Sequence, residues 1–271
     1  MQGAGLAEGK EIGYLMHAAL MLPHYQKAAE QRKVIMRAVS ITGFKKSGKT
    51  TLMSLLAHVL EARGLRVGIV KCTHHGLDLP NTDTFTLRTK DRDVAALAEG
   101  ESAVFWSYRR SVQDMLGVLK ADIVLVEGGK ALDFLPRVLC LHNEEEAAEL
   151  MPELAIATWG SVTLPDKPAF TAESVESLGA LVAEKAFYLP GLDCKACGYE
   201  GCRGMAAGIV AGTESPQACR ALNASFSVTV NGQPVGLNPF TASMLEGGIA
   251  GMVRSLKGVT PGCNVNISFK I

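Results

Sequence analysis

The sequence predicts an α/β protein with a mostly parallel sheet, and three observations carry that expectation. Short apolar runs recur with helix-length amphipathic stretches between some of them, a glycine-containing loop joins the first run to the first such stretch, and a segment dense in cysteine and glycine breaks the pattern near its end. The first strand is expected at 38–42, a helix at 49–63 with Gly64 as its stop signal, and a second strand at 66–71. Apolar runs at 102–108, 123–126, 137–141 and 154–158 extend the same sheet. A helix over 171–187, with Glu173 and Glu176 in its early turns, closes this part. After Leu189-Pro190-Gly191 the composition changes, and the tail reads as two strands about Asn231-Gly232, a helix over 239–257 capped by Asn238, and a last strand over 265–271. The expected division is a helical extension at 1–35, an α/β domain at 36–189, a four-cysteine domain at 190–222 and a small ββαβ module at 223–271. The first 35 residues read either as an extension ahead of a natural start at Met36 or as a docking helix.

Composition narrows the function classes. The 271 residues are 48% hydrophobic and 20% charged, enough to bury a core and unlike a disordered chain. With 27 basic and 27 acidic residues there is no global electrostatic footprint for nucleic acid or an anionic membrane, so no nucleic-acid partner is expected. The apolar stretch 12–22 contains His17 and falls short of the roughly 20 residues that cross a bilayer. Glu8 and Glu11 spoil the basic flank of a signal peptide, so no membrane span and a cytoplasmic location are expected.

Gly43-Phe44-Lys45-Lys46-Ser47-Gly48-Lys49-Thr50 fits G-x-x-x-x-G-K-[ST] between a strand and a helix, where a phosphate loop has to lie. Backbone amides at the helix N-terminus face phosphate, Lys49 reaches the β and γ positions, and the Thr50 hydroxyl ligates Mg2+. The expected nucleotide contacts are Gly43, Lys46, Ser47, Gly48, Lys49, Thr50 and Thr51. Glu127, at the end of the 123–126 run, is the expected second acid, and with Lys49 it forms the catalytic pair. Asp83 is a further candidate for the magnesium shell, and Asp122 is read as a surface or capping carboxylate. His74 and His75 are adjacent on an extended segment and point opposite ways, so they do not make a two-histidine metal site; phosphate or partner contacts and a solvated loop both remain open for them.

Four of the seven cysteines, Cys194, Cys197, Cys202 and Cys219, follow a C-x2-C-x4-C-x16-C spacing. Four thiolates at ligand spacing serve zinc or iron-sulfur chemistry, and a disulfide framework is unusual in a cytosolic chain. Zinc sites usually present two C-x2-C knuckles, whereas Cys202 and Cys219 lie far apart. The small residues Gly198, Gly201, Gly204, Ala206 and Ala207 let backbone amides approach cluster sulfides. Cys72, Cys140 and Cys263 read as buried small hydrophobes.

Taken together, GFKKSGKTTL, the RGLRVGIVK strand, the THHG loop, Asp83-Thr84 and the VLVEGG strand resemble the MobB family of molybdopterin-guanine dinucleotide biosynthesis adaptors over about residues 36–160. That resemblance implies a P-loop domain that binds GTP with Mg2+, hydrolyses it feebly, and assists the molybdenum cofactor guanylyltransferase or molybdoenzyme maturation proteins in handling a pterin cofactor, as a homodimer. Gly48, Lys49, Thr50 and Glu127 carry over most directly. The chain departs from the family at Cys72, where members often have a histidine, and it contains no N-K-x-D guanine-reading motif. The cysteine segment is similar to the single-cluster 4Fe-4S domain of corrinoid iron-sulfur proteins and of a ferredoxin-like electron-transport subunit. Two other functions fit the same motifs: a small-molecule P-loop kinase, which needs an acceptor pocket and an acid near the γ-phosphate, and an iron-sulfur electron carrier with a regulatory nucleotide site.

Overall fold

The computed structural model describes residues 37–73, 75–223, 226–230, 233–260, 265 and 267. The 1–35 extension, His74, the Asn231-Gly232 turn and most of the 265–271 strand lie outside them. In chain order the elements are β1 (Arg37–Gly43), α1 (Lys49–Ala62), β2 (Val67–Lys71), α2 (Asp83–Leu87), β3 (Val94–Leu97), β4 (Ser102–Phe105), α3 (Val112–Val118) and β5 (Ile123–Glu127). These are followed by β6 (Arg137–Cys140), β7 (Ala155–Trp159), β8 (Ala169–Phe170), α4 (Val175–Lys185), α5 (Cys202–Ala211), β9 (Val228–Val230), β10 (Gln233–Val235) and α6 (Pro239–Arg254).

Six strands form one sheet in the order β2-β5-β1-β6-β7-β8, every pairing parallel. The α/β, mostly parallel fold is thus as the sequence predicts. Strand β1 is buried along nearly its whole length, as a central parallel strand covered on both faces must be. Its side chains alternate between two apolar layers. Val39 and Ile41 meet Leu52, Leu56 and Leu60 of α1 and Leu178 and Val182 of α4, whereas Ala38 shares the opposite layer with Leu116 of α3 and with Met205 and Ala206 of α5. Helices α1 and α4 cross closely, since a Cβ on Gly179 would come within 2.3 Å of Val59 Cγ1.

Two local expectations change. The 102–108 run does not join the main sheet: Ser102–Phe105 pairs antiparallel with Val94–Leu97 across a turn closed by the Ala98 amide on the Glu101 carbonyl at 2.9 Å. Both strands are largely exposed, so the ribbon lacks the two-sided burial that a place in the parallel sheet demands. The 171–187 helix is α4 over Val175–Lys185, led in by a 3-10 turn at Ala172–Ser174. In the tail, β9 and β10 pair antiparallel, and the Asn238 side chain accepts from the Thr241 amide as the N-cap of α6. Asp122 pairs with Arg66 at 2.9 Å.

Candidate functional site

The loop from Gly43 to Gly48 leaves the C-terminal end of β1, beside the ends of β5 and β6. Ligands of open α/β sheets bind at that edge. Gly43 has to be glycine, because a Cβ there would stand 2.3 Å from the Cys140 carbonyl and 2.4 Å from Ser47 Oγ. Lys46 holds a φ of 64° and Gly48 one of 84°, so the turn includes a non-glycine left-handed residue of the kind that persists where surrounding structure enforces it. Helix α1 then starts at Lys49 with no side-chain cap, leaving its first amides to whatever enters the loop.

Side chains far apart in sequence close on the loop. The Thr50 hydroxyl donates to Glu127 Oε1 at 2.9 Å, which leaves its own oxygen lone pairs free for a cation. Lys71, at the end of β2, donates to Glu127 Oε2 at 2.9 Å. Parallel register sets Lys71 opposite Glu127 and Ile41 opposite the same residue on the other side. The Lys49 ammonium is turned back onto the Phe44 carbonyl and lies 3.4 Å from Ser47 Oγ. Lys130, in the segment after Glu127, places its ammonium 3.1 Å from the centre of the Phe44 ring, a cation–π contact. Gly128 and Gly129, both at positive φ, turn the chain away from the site, and the Gly128 amide donates to the Ile41 carbonyl at 2.9 Å.

Of the residues expected from sequence, Gly43, Lys46, Ser47, Gly48, Lys49, Thr50 and Glu127 are brought together. Thr51 lies exposed in the first turn of α1. Asp83 sits exposed in the first turn of α2 and, among the described residues, makes no hydrogen bond or ion pair with Thr50 or Glu127. The carboxylate organising that loop is Asp78, which accepts from Thr82 and Thr84 and faces Arg88 at 3.6 Å. Lys130 went unread in the sequence because nothing in the spacing links it to Phe44. Cys72 is half-buried against Gly128 and Gly129, and burial pushes its thiol pKa up, with Arg109 acting the other way. His75 is exposed, its amide held by Thr73 Oγ1 at 3.1 Å.

Cys194, Cys197, Cys202 and Cys219 line one pocket with Leu189 and Met205. The loop reaches it through positive φ at Asp193 (45°), Lys195 (57°) and Gly198 (90°), and Asp193 Oδ1 accepts from the Cys202 amide at 2.6 Å where α5 begins. Burial pushes the Cys202 and Cys219 thiols up. Among the described residues no three cysteine, histidine or carboxylate groups are arranged to hold a single metal ion. Four thiolates around one pocket are a donor set that serves either zinc or iron-sulfur chemistry.

A parallel sheet with a phosphate loop at the end of its central strand, and a threonine–glutamate pair at the mouth, defines the class: a P-loop α/β protein. A family model described as "Molybdopterin guanine dinucleotide synthesis protein B" matches residues 38–159, and one described as "Putative Fe-S cluster" matches 189–221. The chain is 35% identical over 133 residues to a Haemophilus influenzae protein named "Molybdopterin-guanine dinucleotide biosynthesis adapter protein", covering 44% of this chain and 73% of that one. A Methanocaldococcus jannaschii protein named "Putative molybdopterin-guanine dinucleotide biosynthesis adapter protein" is 27% identical over 237 residues, 83% of this chain and 93% of that one. A crystal structure of a MobB homologue from Bacillus stearothermophilus aligns at 28% identity with a TM-score of 0.40, over 55% of this chain and 96% of that one. The chain belongs to the MobB family. No helix among the described residues is long and apolar enough to cross a membrane.

Proposed function

We propose that this protein is a GTP-binding adaptor in the biosynthesis or delivery of molybdopterin-guanine dinucleotide, with feeble GTP hydrolysis and a 4Fe-4S cluster on Cys194, Cys197, Cys202 and Cys219. The observation that carries the reading is the Thr50–Glu127 hydrogen bond at the mouth of the phosphate loop, in a chain of the MobB family. With a nucleotide bound, Lys49 would leave the Phe44 carbonyl for the β- and γ-phosphates, the α1 amides would meet phosphate oxygens, and Thr50 and Glu127 would hold Mg2+. Both Glu127 oxygens already accept hydrogen bonds, from Thr50 and Lys71. A carboxylate so committed serves a metal shell better than it serves proton abstraction from water, which supports slow hydrolysis.

The preference for GTP rests on the family. The clients proposed are the guanylyltransferase that forms the dinucleotide and the enzymes that receive it, with the pterin chemistry left to them. When bound, the cluster supplies a four-point cross-link and a one-electron redox centre. Asp193, the left-handed turns and the start of α5 position Cys194, Cys197 and Cys202 for it. The division into a nucleotide domain at 36–189 and a cysteine domain at 190–222 belongs to the same proposal.

An anaerobic titration of the purified chain with GTP and with ATP, with iron, sulfide and zinc measured on the same sample, tests this. Selective GTP binding with four irons and four sulfides per chain is the expected result, and Lys49→Ala abolishes nucleotide binding. Undiminished GTP affinity in Lys49→Ala, or stoichiometric zinc in colourless protein, refutes the corresponding half of the proposal.

A further inference from the structure

One buried charge lies between the two sites and serves neither directly. Arg137, the first residue of β6, is 0% exposed. An ionised group in that position is costly to desolvate and normally faces a carboxylate. Here Nη1 donates to the Leu150 carbonyl at 2.7 Å and to the Lys130 carbonyl at 3.5 Å, and Nη2 donates to the Leu132 carbonyl. Burial lowers its pKa to about 10 against the opposing pull of the Glu153 and Asp133 carboxylates, and among the described residues Nε has no hydrogen-bond partner. The guanidinium therefore acts as a clamp on two backbone segments.

Each segment leads to one site. Lys130 and Leu132 belong to the stretch that continues from Glu127, and the Lys130 ammonium covers the ring of Phe44, whose carbonyl holds Lys49. On the other side, Leu150 precedes the turn Pro152–Leu154, where Glu153 accepts from Arg203 Nε at 2.6 Å. Arg203 follows Cys202 in the first turn of α5. Packing runs the same way: Leu132, Phe134 and Leu135 share an apolar cluster with Leu189, Met205 and Cys219. Gly191, at φ 66°, lies so close to Phe134 that a Cβ would stand 2.9 Å from its Cδ1.

We propose that Arg137 is a positioning residue that couples the phosphate loop to the cysteine pocket, so that filling either site changes the affinity of the other. The inference rests on the reading that the loop takes a nucleotide and the cysteines a cluster. Coupling needs an element with two arrangements that both sites bias. Lys49 supplies it: folded back on Phe44 in this structure, extended to phosphate when nucleotide is bound. Its departure releases the Phe44 carbonyl, the Phe44–Lys130 contact readjusts, and Arg137 passes the shift through Leu150 and Glu153 to Arg203 and Cys202.

The test uses the full chain, anaerobically, in cluster-loaded and chelator-stripped forms, with GTP affinity read from a fluorescent GTP analogue. Stripping is expected to change the dissociation constant at least about fivefold, and by reciprocity GTP changes cluster retention against chelator in the same sense. In the stripped chain, GTP is expected to alter the alkylation rate of Cys202 relative to Cys194. Arg203→Gln, which breaks an exposed ion pair, brings the loaded-to-stripped ratio towards one while each site still fills; Arg137→Lys, which keeps the charge and loses the fork, does the same. Equal GTP affinity with and without the cluster, both sites filling stoichiometrically, overturns the coupling and leaves the proposed function standing. A chain that binds neither GTP nor iron overturns both.

Discussion

The phosphate loop and the cysteine loop both carry the chain through left-handed turns into the N-terminus of a helix, yet the fold builds them in opposite ways. Around the phosphate loop, Thr50 and Glu127 meet from positions 77 residues apart, because parallel register delivers the ends of β1, β2 and β5 to one edge. The cysteine pocket draws all four thiols from a single short segment. What that segment borrows is its core: Met205, Ala206 and Cys219 are buried in a layer whose other members include residues of β1, β2, β5, α3 and the 134–135 stretch. The lesson is that a site assembled by a sheet carries its own scaffold, whereas a site assembled by a loop depends on the surface beneath it.

That contrast can be broken at the shared layer first. Phe134→Ala removes a buried ring from the layer that the cysteine segment shares with the sheet and is expected to cost about 3–5 kcal/mol in denaturant unfolding, with cluster retention falling alongside global stability. Retention unchanged at that cost would mean that the cysteine segment stands on its own.

Gly43→Ala sharpens the comparison from the other end. The added methyl meets the Cys140 carbonyl, so nucleotide affinity is expected to fall about a hundredfold, near 2.7 kcal/mol, while iron content stays at the wild-type value. Calorimetry and iron analysis on one preparation decide it. A smaller change follows at the mouth: Glu127→Gln keeps the shape and removes the charge, so the Mg2+-dependent part of GTP affinity is expected to drop about tenfold, with Mg2+-free binding little altered.

The smallest effect lies outside both sites. Ser111 and Asp114 form a capping box at the start of α3, and hydrogen bonds from the Ser111 amide and hydroxyl hold the Asp114 carboxyl below its ordinary pKa. A lowered folded-state value means the carboxylate stabilises the fold above the unfolded pKa, and that stabilisation is lost as pH falls through the folded one. Ser111→Ala is therefore expected to cost about 1 kcal/mol near neutrality, with the gap from wild type narrowing below about pH 4 in urea titrations.

Much of this was legible beforehand, for identifiable reasons. The 43–50 loop, the Glu127 strand end and the Asn238 cap are local patterns with one physical meaning, and sequence spacing is enough to place them. The four cysteines, which line one pocket, were legible as a group for the same reason. The 102–105 strand was misplaced because an apolar run shows its length and not its partner; a Glu-Gly turn ahead of it, at 99–100, was the available sign of a hairpin with Val94–Leu97. Lys71 and Lys130 in their pairings, Asp78 as the loop's organiser and Arg137 as a clamp all depend on long-range register or packing, which no spacing rule encodes. Helix α5 as part of the cover over the sheet was hidden as well, since its small residues read equally as room for a cluster.

Trp159, buried at the end of β7, sets its indole nitrogen 3.8 Å from the point where a side chain on Gly48 would begin. It is one of two tryptophans in the chain, the other being Trp106, directly after β4. Replacing Trp106 with phenylalanine leaves a single tryptophan, beside the loop, so loading and release of ligand become visible as tryptophan emission from the unlabelled protein in real time. An optical gauge of that kind would follow turnover in the presence of a partner that lacks tryptophan, without a dye or a modified nucleotide to perturb the encounter.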